Sequence, residues 1–293
     1  MIDFKGKTAV ISGGAAGIGL DLAKTLGQRG MNIVITDIEK EPLASAEQEL
    51  AEAGVPVLTV EMDVALQADW ERTATAALKK FGKIHMLVNN AGVGGGFGPI
   101  EDLDDAAWRW SLDVNLMGVV YGASTFVPLM KKHGEGGWLI NVASMAGMGG
   151  APLGGAYTAT KAAVVALTES WAPELKGDNI HVSVLAPAFV KTRIHESHRN
   201  RQQRYQSDCP LTDGLRKVAE TTSLAVTSGI DVNIVGQRVV EALEAGELYI
   251  FTHPNYQPVT EHRAAAVSKA FQNAADSPLL QEIRNQEIPP FIA

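Results

Sequence analysis

The fold is decided near the N-terminus by the stretch TAVISGGAAGIG, residues 8–19. Its first five residues form a short apolar run, which predicts a buried β-strand. Helical spacing follows from Leu20 to Arg29, so the glycines form a turn between a strand and a helix. Such a turn presents backbone N–H groups at a helix N-terminus, where a pyrophosphate can bind. A tight turn without a ligand is the alternative, but the flanking strand and helix favour dinucleotide binding.

Six further apolar runs alternate with helical patterns along the chain. They lie at residues 31–36, 57–61, 84–88, 138–143, 180–186 and 248–252. This alternation is typical of a parallel sheet that is covered by helices on both faces. The sequence therefore predicts an α/β fold, a doubly wound Rossmann-type seven-stranded parallel sheet with its switch point at the first and fourth strands. A long irregular segment is expected at residues 189–229.

Composition excludes several classes of protein. The chain has 293 residues, 46% of them hydrophobic and 20% charged, which fits one large domain with or without an extension. A net charge of -8 argues against a nucleic-acid partner. Cys209 is the only cysteine, so neither an intrachain disulfide nor a cysteine-based zinc site is available. No signal peptide or membrane span is evident, and we expect a cytoplasmic enzyme without a membrane partner.

Acidic residues stand where two predicted strands end, at the edge where parallel sheets bind ligands. Asp37 closes the second strand and can accept hydrogen bonds from the ribose hydroxyls of an adenosine. Capping of the next helix is the alternative, although Glu41 and Pro42 form a better helix start. Asp63 follows the third strand, where it could bond the adenine edge or cap a helix. The sequence leaves both roles open.

Asparagines mark two further positions. The run NNAG at residues 89–92 follows the fourth strand. Asparagine is a common turn residue, but the ligand edge of the sheet favours a role in binding. Asn115 lies inside a helical stretch expected from about 106 to 132, although asparagine is a poor helix former. It therefore bonds locally or marks a distortion of the helix.

Tyr157 and Lys161 are four residues apart in a helical pattern, so they share one helix face. A nearby cation favours the phenolate and lowers a pKa that is ordinarily about 10. Exposed pairs at this spacing are common, so the spacing alone is a weak signal. His195 and His198 are three apart but have no carboxylate or cysteine at metal spacing, and we predict no metal site.

Taken together, these motifs resemble the short-chain dehydrogenases/reductases over residues 5 to about 192. The matching residues are Gly13, Gly17, Gly19, Asp37, Asp63, Asn89, Asn90, Ala91, Gly92, Asn115, Ser144, Tyr157, Lys161 and Thr192. The resemblance implies a hydride-transfer enzyme. We expect NAD as cofactor, because Asp37 repels the 2′-phosphate of NADP and no arginine follows the second strand. One departure is Pro187-Ala188, where the family has Pro-Gly, which changes a contact with the nicotinamide.

The resemblance also implies a role for each matching side chain. Tyr157 is the general acid or base, Lys161 lowers its pKa and holds the nicotinamide ribose, and Ser144 binds the substrate oxygen. Asn115 holds a water that links Lys161 to solvent. The implied cofactor site comprises Gly13, Gly17, Ile18, Gly19, Asp37, Asp63, Val64, Asn90, Ala91, Gly92, Tyr157, Lys161, Pro187, Val190 and Thr192.

Residues beyond Thr192 build the substrate lid in this family. Here they resemble bacterial Cα-dehydrogenases that oxidise the benzylic alcohol of lignin-derived β-aryl ethers. This implies a bulky aryl secondary alcohol as substrate, with a steroid or terpenoid alcohol as the alternative. A non-catalytic dinucleotide-binding sensor is a third interpretation. The implied substrate residues are Gly95, Phe97, Met145, Leu153, Phe189, Ile194 and His195.

The expected organisation is one Rossmann-type catalytic domain over residues 1–255, in which residues 193–230 form the lid. A helical extension, residues 256–293, is expected to pack on the same domain. The apolar faces of the helices that carry Asn115 and Lys161 favour a homodimer or homotetramer.

Overall fold

Seven strands form one sheet in the computed structural model, which describes residues 2–206 and 213–287. They are β1 (Thr8–Ser12), β2 (Asn32–Asp37), β3 (Val57–Glu61), β4 (Met86–Asn89), β5 (Gly137–Val142), β6 (Ile180–Ala186) and β7 (Tyr249–Phe251). Every pairing is parallel, and the order is β3-β2-β1-β4-β5-β6-β7. Because β1 lies between β2 and β4, the direction of winding reverses there and opens a crevice at the carboxyl ends. The predicted fold class is confirmed.

Helices cover both faces of the sheet. The α-helices are α1 (Gly17–Gln28), α2 (Lys40–Glu52), α3 (Gln67–Phe81), α4 (Asp105–Leu112), α5 (Gly118–His133), α6 (Met145–Met148), α7 (Gly155–Leu175), α8 (Asp213–Thr227), α9 (Asn233–Ala245) and α10 (Gln257–Ala275). The 3₁₀ helices are Lys176–Asp178, Ile194–Asn200, Gln203–Tyr205, Pro254–Tyr256 and Pro278–Leu280.

Each strand contributes to two cores, because successive side chains point to opposite faces of a sheet. In β1, Ala9 and Ile11 belong to the core that includes α1, α2 and α9, whereas Val10 belongs to the core that includes α3 and α5. Trp70 and Phe126 join α3 to α5, with ring centroids 6.2 Å apart. Burial on both faces explains why the central strands read as continuous apolar runs.

The long helix predicted at residues 106–132 is interrupted. A π-helical turn, Asp113–Met117, separates α4 from α5, and Asn115 lies inside it. The stretch Asp105–His133 also has the length and apolar composition of a membrane span, although the sequence analysis expected none. Phe126 and Met130 from this stretch pack in the core on the sheet, so it is a core helix in this fold.

The segment 189–229 is not irregular throughout, as the sequence analysis expected, because it contains α8. Leu215, Val218, Thr222 and Val226 recur at helical spacing and give α8 one less polar side. The threonines and serines between them hide this period from a reading of apolar runs alone.

The chain divides into two units, Met1–Thr252 and His253–Ala293. The first holds the sheet with α1 to α9. Among the described residues, the second holds α10 and two 3₁₀ turns. Packing of the extension on the catalytic domain stays a prediction.

Candidate active site

A cleft lies at the carboxyl ends of the strands, next to the switch point. It is lined by all residues predicted to bind the cofactor except Gly19, and also by Ser144. Among the predicted substrate residues, only Ile194 lines it. Asn115 is fully buried behind the wall. The structure therefore brings the implied cofactor and proton-transfer residues together but leaves most of the implied substrate residues outside.

The glycine turn and the end of β4 are locked together at the base of the cleft. The Ser12 hydroxyl accepts hydrogen bonds from the backbone N–H groups of Asn90 and Ala91, each at 3.1 Å. The Asn90 amide donates to the carbonyls of Ser12 and Gly13, both at 2.9 Å. A Cβ at Gly13 would lie 2.8 Å from the Ala91 Cα, and one at Gly19 would overlap the Gly13 carbonyl. Only glycine fits these two positions.

The N-terminus of α1 is suited to a pyrophosphate. Its N-cap, Ala16, offers no side-chain hydrogen bond, so the first N–H groups of the helix are available to a ligand in the cleft. Gly17 has a positive φ of 54° and lines the cleft beside Thr192. Here the observed residues fit a dinucleotide.

Asp37 holds the turn at the adenosine end of the cleft. Its two carboxylate oxygens accept hydrogen bonds from the N–H groups of Ala15, at 3.2 Å, and Glu39, at 3.1 Å. Burial raises its pKa, and these N–H groups oppose the rise. The N-cap of α2 is Glu39, so Asp37 does not cap that helix. Each oxygen of Asp37 retains acceptor capacity for ribose hydroxyls.

Asp63 caps no helix either, since the N-cap of α3 is Leu66. One of its oxygens accepts from the Ala65 N–H at 3.0 Å. The other binds the Arg204 guanidinium at 2.6 Å. Arg204 comes from the predicted lid and is 141 residues away in the chain, so no sequence signal indicates this pair.

Lys161 is a buried cation beneath the cleft. Only 3% of the residue is exposed, and its ammonium donates to the Val142 carbonyl at 2.8 Å. Burial lowers its pKa to about 8. The ammonium lies 5.7 Å from the ring centroid of Tyr157, one helical turn earlier on α7.

The Tyr157 phenol differs from the expectation. Burial raises its pKa above the ordinary value, and a hydrogen bond with Ser144 opposes this rise. The family resemblance predicts that Lys161 lowers this pKa, whereas the net shift of the Tyr157 pKa is upward. The lysine is seen over the ring, and desolvation outweighs the favourable interactions of the phenolate.

Ser144 is fixed at the end of β5. It is the N-cap of α6, where its hydroxyl accepts from the Ala146 N–H at 3.1 Å. The same hydroxyl approaches the Pro187 carbonyl at 3.4 Å. Its position is therefore set by two neighbouring strand ends.

Asn115 ties the π-helical turn to the loop after β4. Its amide accepts from the Val93 N–H at 2.8 Å and donates to the Val93 carbonyl at 2.9 Å. A Cβ on Gly92 would lie 3.3 Å from both Asn115 Oδ1 and Lys161 Nζ. The Asn115 side chain thus positions the loop, and a water relay would have to use other atoms of the turn.

Most predicted substrate residues pack elsewhere in the first unit. A Cβ at Gly95 would overlap Ser111, and Phe97 lies against Gly154. Phe189 and Leu153 are partly exposed, and Met145 is buried outside the cleft wall. The wall instead includes side chains that the sequence analysis missed, namely Trp110, Val114, Ser197, Gln202 and Val226. They come from segments far apart in the chain, and no local pattern could have found them.

Ala188 takes an ordinary backbone conformation. Among the described residues, only Leu153 and Asn179 are non-glycine residues with a positive φ. Residue 188 therefore does not need glycine for its backbone conformation. The alanine at this position lines the cleft.

Three possible metal ligands, His85, His133 and Glu135, lie within 4.8 Å of one another at the other end of the sheet. His85 accepts from the Thr8 N–H at 3.1 Å and lies 3.0 Å from the Glu135 carboxylate. His133 bonds the Ile84 carbonyl at 2.8 Å and accepts from the Glu135 N–H at 3.1 Å. All four imidazole nitrogens are therefore engaged, which favours a structural cluster.

Comparisons with known proteins agree on the family. The family model for short chain dehydrogenases matches residues 7–203. A CLA biosynthesis dehydrogenase/reductase from Lactiplantibacillus plantarum is 33% identical over 272 residues, covering 91% of this chain and 95% of the relative. A C alpha-dehydrogenase from Sphingobium sp. is 32% identical over 267 residues, covering 91% and 87%. A short chain dehydrogenase/reductase from Burkholderia phymatum, solved with NAD, superposes with a TM-score of 0.90 at 34% identity, covering 92% of this chain and 97% of that protein.

The buried Lys161 leads to a prediction about stability. Its pKa of about 8 lies below the ordinary 10.5, so holding the charged form opposes folding. This cost is fully present below pH 8 and disappears as the pH rises past 10.5. At pH 7 we expect Lys161→Met to raise the free energy of unfolding by about 1–3 kcal/mol. The gain should shrink near pH 10.

Urea unfolding at both pH values measures this difference. Lys80→Met is the matched control, because Lys80 also donates to a strand carbonyl, that of Val57, but is solvent-exposed. It should give no comparable gain. A Lys161→Met protein that is less stable than the wild type at pH 7 would contradict the prediction.

Proposed function

The chain belongs to the short chain dehydrogenase family, and within its NAD-dependent alcohol dehydrogenases we propose that it oxidises a bulky aryl secondary alcohol to a ketone. The observation that carries the proposal is the convergence of Ser144, Tyr157 and Lys161 on one cleft with Asp37 at its other end. A protein that only senses a dinucleotide has no need of a buried ammonium beside a phenol. A non-catalytic sensor is therefore the weaker candidate.

In the proposed mechanism, NAD supplies the hydride acceptor, and the protein manages the proton. Ser144 donates a hydrogen bond to the substrate oxygen and holds the carbinol carbon at the open face of the cleft. With Tyr157 in its phenolate form, Oη takes the hydroxyl proton and becomes the neutral phenol as the hydride leaves, so the alcohol loses one proton and one hydride. Lys161 holds the nicotinamide ribose and provides positive charge near the phenolate. In the reverse direction, Tyr157 returns the proton to the ketone oxygen.

The substrate class is supported by the cleft wall and by one relative. Trp110, Val114, Ile194 and Val226 give the wall an aromatic and aliphatic surface, which suits a large apolar guest. The relative named C alpha-dehydrogenase aligns over 91% of this chain, far enough to include the lid. We accordingly propose the Cα-alcohol of a lignin-derived β-aryl ether as a substrate.

Another lipophilic alcohol is the alternative. The relative named for CLA biosynthesis aligns over the same 91% of this chain at similar identity. An apolar wall accepts a steroid, a terpenoid or an aliphatic chain as well as aryl groups. The homodimer or homotetramer and the cytoplasmic location stay predictions.

The acid–base role of Tyr157 predicts a separation of turnover from binding. Tyr157→Phe removes the hydroxyl but keeps the ring, so turnover should fall by roughly 10²–10⁴. The Kd for NADH, measured by fluorescence titration, should change little. Tyr121→Phe, on α5 and away from the cleft, is the control and should keep full activity. Substantial activity in Tyr157→Phe would overturn the assignment.

The carboxylate of Asp37 predicts the cofactor preference. Asp37 lines the cleft at the end of β2, where the adenosine ribose binds in this fold, and a like-charge contact with a 2′-phosphate there would cost several kcal/mol. We expect kcat/KM with NAD to exceed that with NADP by about 10² or more. Asp37→Asn should narrow this ratio. Equal or better use of NADP by the wild type would refute the prediction.

The substrate proposal is tested by a series of alcohols of increasing size. We expect kcat/KM to climb steeply from 2-propanol through 1-phenylethanol to a β-aryl-ether dimer, because remote groups help only through transition-state binding. Val226→Ala should reduce kcat/KM for the dimer more than for 2-propanol. Leu224→Ala, on the same helix but 68% exposed, should affect neither. A flat series, or preference for a steroid or terpenoid, would eliminate the aryl-ether substrate.

A further inference from the structure

Residues 199–205, here called the strap, contact the rim of the cleft at its adenosine end. Arg199, Asn200 and Gln202 line the same cleft as Asp37 and Asp63. The strap begins in the last two residues of the 3₁₀ helix Ile194–Asn200 and continues beyond it. It belongs to the predicted lid. It is therefore a covering segment on the cofactor side of the lid.

One end of the strap is held by Glu39, which follows β2. Arg199 binds this carboxylate with two hydrogen bonds, from Nε at 3.0 Å and from Nη2 at 2.7 Å. Asn200 adds a third at 3.0 Å. Only 24% of the Arg199 side chain and 22% of the Glu39 side chain are exposed. The two-point geometry and partial burial make this a strong ion pair, and it keeps the Glu39 pKa below its ordinary value.

The other end is held at two elements on the far side of the rim. Arg204 binds Asp63, after β3, at 2.6 Å. The Tyr205 hydroxyl donates to Asp113, in the π-helical turn, at 2.8 Å. Tyr205 itself is buried in the core on that face of the sheet. The strap is thus anchored to three acidic residues on three separate elements.

The middle of the strap is poorly satisfied. Nε and Nη2 of Arg201 and Oε1 of Gln202 are buried without a hydrogen-bond partner in the part of the chain that the structure describes. Arg201 Nη2 lies 3.9 Å from the Asp104 carboxylate. Buried polar groups without partners oppose the conformation that buries them. The Arg201 guanidinium also lies 5.4 Å from the centroid of the Trp110 ring, so the main polar anchors of the strap are the ion pairs and hydrogen bonds at its two ends.

We infer that the strap is a latch over the adenosine half of the cofactor, and that the Arg199–Glu39 and Arg204–Asp63 ion pairs must break before NADH can leave. The inference rests on NAD being the cofactor of the proposed reaction. Asp37 and Asp63 stand where adenosine binds in this fold, so the cofactor would lie beside the anchoring carboxylates. The ion pairs then contribute to how long the cofactor stays bound.

The test is the rate of NADH dissociation from the full chain. Stopped-flow fluorescence follows the loss of bound NADH when excess NAD displaces it. We expect Arg199→Gln, Glu39→Gln and Arg204→Gln each to release NADH at least about tenfold faster than the wild type. Arg109→Gln is the matched control, since it removes an arginine paired with Asp105 on the outside of α4. It should release NADH at the wild-type rate.

Two further measurements separate a latch from a general loss of structure. The double variant Arg199→Gln/Glu39→Gln should be no faster than either single variant, because both remove the same pair. Higher salt should accelerate release from the wild type more than from the double variant, which of the two anchoring ion pairs keeps only Arg204–Asp63. Glu39→Gln keeps the size of the side chain, so it serves if Arg199→Gln unfolds.

Three results would overturn the latch. Release rates within twofold of the wild type in all three single variants would show that the strap does not retain NADH. Additive effects in the double variant would show that the pair is not the retaining contact. Faster association with unchanged dissociation would mean that the strap excludes the cofactor. Failure of the wild type to bind NADH would instead refute the proposed function itself.

Discussion

The close approach of two backbones at the switch point is the constraint on which the cleft depends. Gly13 and Ala91 come so near that no side chain fits at residue 13, and Ser12 and Asn90 fix the approach with hydrogen bonds. This contact sets the distance between the end of β1, which presents the phosphate-binding turn, and the end of β4, which leads to Gly92 and Asn115. A larger residue at position 13 would widen the cleft at both places at once.

The proton-transfer residues depend on the same region through a second chain of contacts. Asn115 holds Val93 by both backbone groups, and Gly92 lies between Asn115 and Lys161. The π-helical turn that carries Asn115 and the helix that carries Lys161 therefore both pack on the loop after β4. This arrangement keeps a charged amine inside the protein at a cost to folding, because burial has lowered its pKa. Function and stability are in opposition at this residue.

Sequence patterns predicted what depends on local chemistry. The bounds of β1, β3 and β6 match the predicted runs. In β1 and β6 the apolar runs reflect burial of the strand on both faces. The distortion at Asn115 was also visible, as a poor helix former in a helix interior. The cleft wall could not be predicted from the sequence, since Trp110 and Val226 are far apart in the chain and come together only in the folded protein. The contact between Arg199 and Glu39 could not be predicted either, because these residues are 160 positions apart in the chain. The sequence therefore gives no indication that an arginine lies near the end of β2. The Tyr157 pKa is raised rather than lowered, because burial of the phenol outweighs its hydrogen bond with Ser144, and desolvation is not visible in a sequence.

Asp37 has a consequence for how cofactor use can change in evolution or by engineering. One of its oxygens holds the backbone of Ala15 in the phosphate-binding turn, and the other holds Glu39. Asp37, which is proposed to select NAD over NADP, therefore also stabilises the turn that would bind the pyrophosphate of either dinucleotide. A mutation that simply deletes the carboxylate would admit the bulkier dinucleotide into a loosened turn. A change of preference from NAD to NADP should therefore require, besides the replacement of Asp37, a second substitution that supplies new hydrogen bonds to the phosphate-binding turn.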